Sequence, residues 1–213
     1  MKKILITGAT GKQGSAAAYE LLKNNFEIYA LTRDPQSLQA VSLEKAGAVL
    51  IKGDLEDAEG LKDILKKVDG LYLVLPPVWV SSKETDEKEA EIGIQTIRLA
   101  KEQGVKFVLY SSVLGSDKQD SFRPKFKFTI EKYLLESGLK ASVIRPATFM
   151  ENLLLPSFGK INGIVGHCLY RVGSISFGRG NAFIIEYDQL VLLSQSISHC
   201  RIPVIHRTSG PGQ

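Results

Sequence analysis

Short apolar runs alternate with amphipathic stretches along roughly the first two thirds of the chain. Their two periods predict a regular alternation of strands and helices. Runs rich in β-branched and aliphatic residues at 4–7, 26–32, 48–52, 71–75, 105–110 and 141–144 read as strands. The intervening segments 13–24, 36–46, 57–67, 84–103 and 127–136 keep helical spacing. Leu21 and Leu22 mark the apolar face of the first helix. Leu61, Ile64, Leu65 and Val68 mark that of the third, and Ile92, Ile94, Ile97 and Leu99 that of the fourth. Pro35 sits where it can open the second helix, while Gly47, Gly104 and the pair Ser137-Gly138 read as stops. Right-handed crossovers return each strand to one sheet, so the alternation predicts a doubly wound, parallel α/β domain with helices on both faces.

The pattern breaks near residue 152. Only seven of the 62 residues from 152 to 213 are charged, against 43 of the first 151. All three histidines, both cysteines and eight of the nineteen glycines fall in that last part. Residues 189–197 read equally as helix or strand, and 207–213 as a frayed end. The expected organisation is a domain at 1–152 followed by a short, atypical region at 153–213. A length of 213 residues fits one α/β domain with a well-buried core. Net charge is +4, with lysines interspersed among acids, which argues against a nucleic-acid partner. Two cysteines fit a reducing cytoplasm. The apolar run Ile4-Leu5-Ile6 is too short for a secretory leader. Pro76 and Pro77 interrupt the longest apolar stretch, so no membrane span is expected.

Candidate chemistry concentrates where the predicted strands end, since open parallel sheets bind ligands at those ends. The first strand runs into Thr7-Gly8-Ala9-Thr10-Gly11-Lys12-Gln13-Gly14. Gly8 permits a sharp turn, Gly11 leaves backbone open to a pyrophosphate, and Gly14 permits close packing of the helix that follows. That helix directs N–H groups and its positive dipole end at phosphate, so a Rossmann-type dinucleotide site is expected. At the end of the second strand stands Arg33, nineteen residues past Gly14, where an NAD site would usually carry a carboxylate. A guanidinium there suits a 2′-phosphate, and Lys12 adds a second charge; together they favour NADP(H) over NAD. Taken singly, each is also an ordinary surface residue, Arg33 pairing with Asp34. Asp54 at the third strand's end either accepts from the adenine amino group, with Leu55 against the ring, or caps the next helix. Leu75, Pro76, Pro77, Val78 and Trp79 form a stiff apolar corner that would border the nicotinamide ribose.

Two other readings fail. Gln13 stands where a phosphate-loop NTPase needs Ser or Thr to hold magnesium. His167-Cys168, His199-Cys200 and His206 show no metal-ligand spacing, and no metal is expected.

Several segments together resemble the NmrA-like branch of the atypical short-chain dehydrogenases. They are residues 7–14, Thr32-Arg33-Asp34-Pro35, Gly53-Asp54, the run 104–112 ending in Ser111-Ser112, Ile130 to Leu139, and Ile144-Arg145-Pro146 through Asn152. The resemblance covers about seven-tenths of the chain and departs from the family pattern from about Pro156. It implies a Rossmann-type NAD(P)-binding domain in which Thr10 and Pro146 also line the cofactor. The family includes NADPH-dependent quinone and azo-dye reductases, and non-catalytic proteins that sense the dinucleotide and bind a protein partner. The wider superfamily uses a Tyr-x-x-x-Lys pair with a nearby Ser. Lys127 matches the Lys, Ser111 or Ser112 the Ser, but Arg123 stands where Tyr would be. Tyr19 and Lys23 share the spacing by coincidence, on the first helix. The implied activity is hydride transfer from NADPH to a small quinone-like or azo acceptor, which needs no tuned proton donor. Lys127 and Ser111 or Ser112 would then position ribose and acceptor. The alternative is an NADP(H)-sensing regulator.

Overall fold

Eight strands of the described residues form one sheet. The computed structural model describes residues 2–76, 82–117, 125–146, 175–177 and 182–187. The first six strands are β1 (Lys3–Ile6), β2 (Glu27–Thr32), β3 (Val49–Lys52), β4 (Gly70–Leu73), β5 (Phe107–Ser111) and β6 (Ala141–Pro146). They pair in parallel in the order β3-β2-β1-β4-β5-β6, so that β1 is flanked by β2 and β4. The direction of winding therefore reverses at β1, which places a crevice at its carboxyl end. Two further strands, β7 (Ile175–Phe177) and β8 (Ala182–Tyr187), extend the sheet beyond β6. β8 is parallel to β6 over its whole length, and β7 antiparallel to β8. The expected alternation stops at β6 and gives no sign of these two strands. All described residues belong to one compact unit.

Helices α1 (Lys12–Lys23) and α2 (Leu38–Lys45) cover one face, and α3 (Ala58–Leu65), α4 (Lys83–Glu102) and α5 (Lys125–Glu136) the other. On the first face Ala18 and Leu43 pack with Ile6, Ile28 and Tyr72. On the second, Leu61, Leu65, Ile97, Ile130 and Leu134 pack against Leu5, Leu71, Leu73, Val108 and Val143. β4 is buried throughout because helices cover both of its sides, whereas β3 keeps both end residues exposed at the sheet edge.

The helix ends follow their caps. α2 begins two residues later than Pro35 predicts, because Ser37 accepts from Ala40 N–H and Asp34 accepts from Gln36 N–H in the turn before it. Asp57 caps α3, and Ser82 with Thr85 forms a reciprocal capping box on α4. On α4 the buried stripe is Glu89, Gly93, Thr96, Ile97 and Ala100 together with Leu99. Ile92 and Ile94, expected inside, are only half-buried. The stripe runs through a carboxylate that apolar periodicity passes over. No described helix is long and apolar enough to cross a membrane.

Candidate active site

β1 ends one residue before Thr7, whose N–H still donates to Tyr72 O at 3.1 Å and whose hydroxyl extends the pairing by one step. Thr7 Oγ1 donates to Val74 O and accepts from Val74 N–H, both at 2.8 Å. The chain then turns at Gly8, φ +59°, where a Cβ would press on Val74 at 3.2–3.3 Å. Gly14 is buried, and a Cβ on it would lie 2.2 Å from Gly8 O. The third glycine thus closes the turn upon itself, a tighter requirement than helix-to-sheet packing. Gly11 differs: only Gly8 O, at 3.2 Å, lies near its absent Cβ. Gly11 is the N-cap of α1 and supplies no side-chain cap, so the helix end presents N–H groups over an open cradle. These features fit a dinucleotide pyrophosphate.

Lys12 and Arg33 are exposed and make no ion pair among the described residues. Asp34 does not pair with Arg33; its carboxylate holds Gln36 N–H at 3.0 Å. Asp54 is half-buried and accepts from Glu56 N–H at 3.2 Å, while the cap of α3 is Asp57. Leu55, beyond the end of β3, and Leu75, beyond the end of β4, are buried, and Pro76 is exposed. Thr10 is half-buried in the turn. Pro146, at the end of β6, accepts Leu114 N–H at 2.9 Å. Pro77, Val78, Trp79, Arg123, residues 147–152 and the histidine and cysteine pairs lie outside the described residues.

The two serines at the end of β5 have separate partners. Ser111 Oγ donates to Gln13 Oε1 at 2.9 Å, tying β5 to the first turn of α1. Burial pushes the phenol of Tyr72 up to about 12, against a downward pull from the Ser111 and Gln13 side chains. Ser112 Oγ instead donates to Glu131 in the interior. Ser116 donates to the same oxygen at 2.7 Å, and Arg145 grips the carboxylate with Nε at 3.1 Å and Nη2 at 2.6 Å. Arg145 Nη1 also meets Asp117 at 2.9 Å. This cluster fixes α5, β6 and the loop after β5 together.

Lys127 Nζ pairs with Glu89 Oε1 at 2.7 Å and lies 5.2 Å from the centre of the Phe126 ring. Burial holds the Glu89 carboxyl above its ordinary range despite Lys127. Glu89, Glu131, Arg145 and Tyr72 are absent from the sequence-derived site. A faint signal existed for Glu89, which falls four and eight residues before Gly93 and Ile97 on the buried stripe.

The NmrA-like family model matches residues 1–165. The chain belongs to that family. An NmrA-like family domain-containing protein of Dictyostelium discoideum is 38% identical over 119 residues, which is 55% of this chain and 38% of the relative. Quinone oxidoreductase 2 of Escherichia coli (strain K12) is 31% identical over 153 residues, 71% of this chain and 50% of that protein. This NmrA-like chain therefore spans about half the length, or less, of these curated relatives. Among solved structures, Citrobacter sp. triphenylmethane reductase complexed with NADP(H) superposes with a TM-score of 0.61 at 19% identity, over 71% of this chain and 51% of that one. NmrA, a negative transcriptional regulator in complex with NADP, gives 0.57 at 20% identity over 68% and 45%. These likenesses show the Rossmann-like fold that the NmrA-like sequence implies.

Proposed function

We propose that this NmrA-like chain binds NADP(H) at the β1–α1 turn and reduces a small quinone-like or azo acceptor by direct hydride transfer. The observation that carries the reading is the uncapped N-terminus of α1 above Gly11, where a Cβ would meet only Gly8 O. Lys12 and Arg33 are free of ion pairs among the described residues and suit a 2′-phosphate. Asp54 and Leu55 would receive adenine, Leu75, Pro76 and Pro146 the nicotinamide side, and Lys127 the ribose hydroxyls. When bound, the nicotinamide supplies the hydride. Of the two serines we assign Ser111 to the acceptor side, because Ser112 is committed to Glu131. The likeness to Escherichia coli quinone oxidoreductase 2 supports the acceptor class. We assign residues 153–213 a reduced substrate-side role and the protein a cytoplasmic location.

The second reading is an NADP(H)-sensing regulator that acts through a protein partner. Arg123 in place of the superfamily tyrosine favours it, as does the fold shared with NmrA. NADPH oxidation with a panel of quinones and azo dyes, against a control without acceptor, separates the two. Turnover is the expected result. Tight NADPH binding without turnover would overturn the reductase reading in favour of the sensor.

A further inference from the structure

We propose that Glu89 is the positioning residue for Lys127, so that a carboxylate on α4 sets where the lysine ammonium meets the dinucleotide ribose. The proposal rests on the assignment of Lys127 to the ribose made above. Lysine carries its charge on a flexible four-carbon stem and finds one place only when something fixes it. Here Glu89 Oε1 lies 2.7 Å from Nζ, and the Phe126 ring bounds the ammonium on another side. The lysine side chain is 17% exposed and the glutamate side chain 6%, so the pair is almost withdrawn from water. Such a pair is poor value for stability alone, because desolvation offsets most of the attraction and well-packed apolar residues do as well or better.

The surroundings of Glu89 sharpen the point. Every other buried residue on α4 is uncharged. Glu89 Oε2 is buried with no hydrogen-bond partner among the described residues, and so is the hydroxyl of Tyr110 on β5. The charged and titratable groups that act on the carboxylate are Lys127 from α5 and Asp86 from its own helix, while Glu89 in turn acts on Tyr110. Lys127 is thus the one cation on the carboxylate among the described residues. A purely architectural carboxylate would be expected to fill both oxygens, as Glu131 does in the same layer with Arg145, Ser112 and Ser116.

The test is a double-mutant cycle on NADPH affinity in the full chain, using Glu89→Leu, Lys127→Met and the two combined, with Glu89→Gln as the conservative variant. NADPH titration reads Kd, and thermal unfolding of the same samples reads the fold. Glu89→Leu and Lys127→Met should each raise Kd about tenfold, the loss of one charged hydrogen bond. The combined variant should bind no worse than Lys127→Met alone, because Glu89 acts only through that lysine. Glu89→Gln keeps an oxygen acceptor and should fall between wild type and Glu89→Leu; it carries the test if the leucine variant does not fold. Wild-type affinity in both Glu89 variants, or losses that add in the combined variant, would overturn the positioning role while leaving Lys127 at the ribose. Wild-type affinity in Lys127→Met would overturn the ribose assignment and the proposal with it.

Discussion

Gly11 and Gly14 differ in what a side chain would meet, and the difference separates binding from folding. At Gly14 a Cβ would strike Gly8 O at 2.2 Å and Ala9 Cα at 2.8 Å, both backbone atoms that cannot swing away. Gly14→Ala should therefore lower stability by about 1–3 kcal/mol, read by urea unfolding. Gly11→Val meets only Gly8 O at 3.2 Å, so it should fold and yet fail to bind NADPH, because the new side chain fills the cradle. A Gly11→Val protein that titrates like wild type would place the pyrophosphate elsewhere. Arg33→Ala combined with Lys12→Ala should weaken NADPH more than about tenfold and NADH far less. Equal losses for both cofactors would remove Arg33 from the 2′-phosphate. These residues were legible in the sequence because a glycine turn and a strand-end charge are local signals. Glu89 was not, since its partner lies 38 residues away on another helix and only the packing of α4 on α5 joins them.

Each predicted strand and helix up to β6 is present, with ends shifted by one or two residues wherever a cap or a ladder outranks hydrophobic period. Apolar pattern reports which face is buried, while Ser37, Asp57 and Ser82 decide where a helix starts. β7 and β8 escaped because short strands in a sparsely charged, glycine-rich stretch carry no clear period of their own. Their position changes what a truncation does. Removing residues 156–213 takes β8 from β6 and leaves β6 as an unpaired edge. The shortened chain should melt lower than the full chain but retain measurable NADPH binding, because the turn, Arg33 and Asp54 all precede the cut. It should no longer reduce acceptor; reduction at the full rate would exclude the tail from the pocket. Inside β6, Arg145 carries a second test. Arg145→Leu strands the wholly buried Glu131 and should cost about 3–5 kcal/mol, measured by denaturant unfolding.

Across the whole molecule, one buried carboxyl gives stability a direction with pH. Glu89 is raised above the ordinary carboxylate range by burial, against the pull of Lys127. A raised carboxyl binds its proton more readily in the folded chain than in the unfolded one. Its contribution is therefore full below the ordinary carboxylate value and is lost as pH rises through the raised one. Glu89→Gln has no such slope, so wild type should gain stability relative to it on acidification through that window. Thermal unfolding of the two proteins across the acid range checks the sign, and a difference that grows with rising pH would contradict it.

The bond from Ser111 to Gln13 has a consequence for how strongly two molecules bind together. A hydroxyl has one proton to give, and in the free protein Ser111 gives it to the amide of the second residue of α1. On the proposed function, an acceptor molecule that claims that proton would release Gln13, and the release would be felt in the helical turn assigned to the pyrophosphate. Such an exchange acts in both directions: each molecule changes the other's affinity by the same factor. NADPH affinity measured with and without a non-reducible acceptor analogue should therefore differ, and Gln13→Leu should make the two values equal.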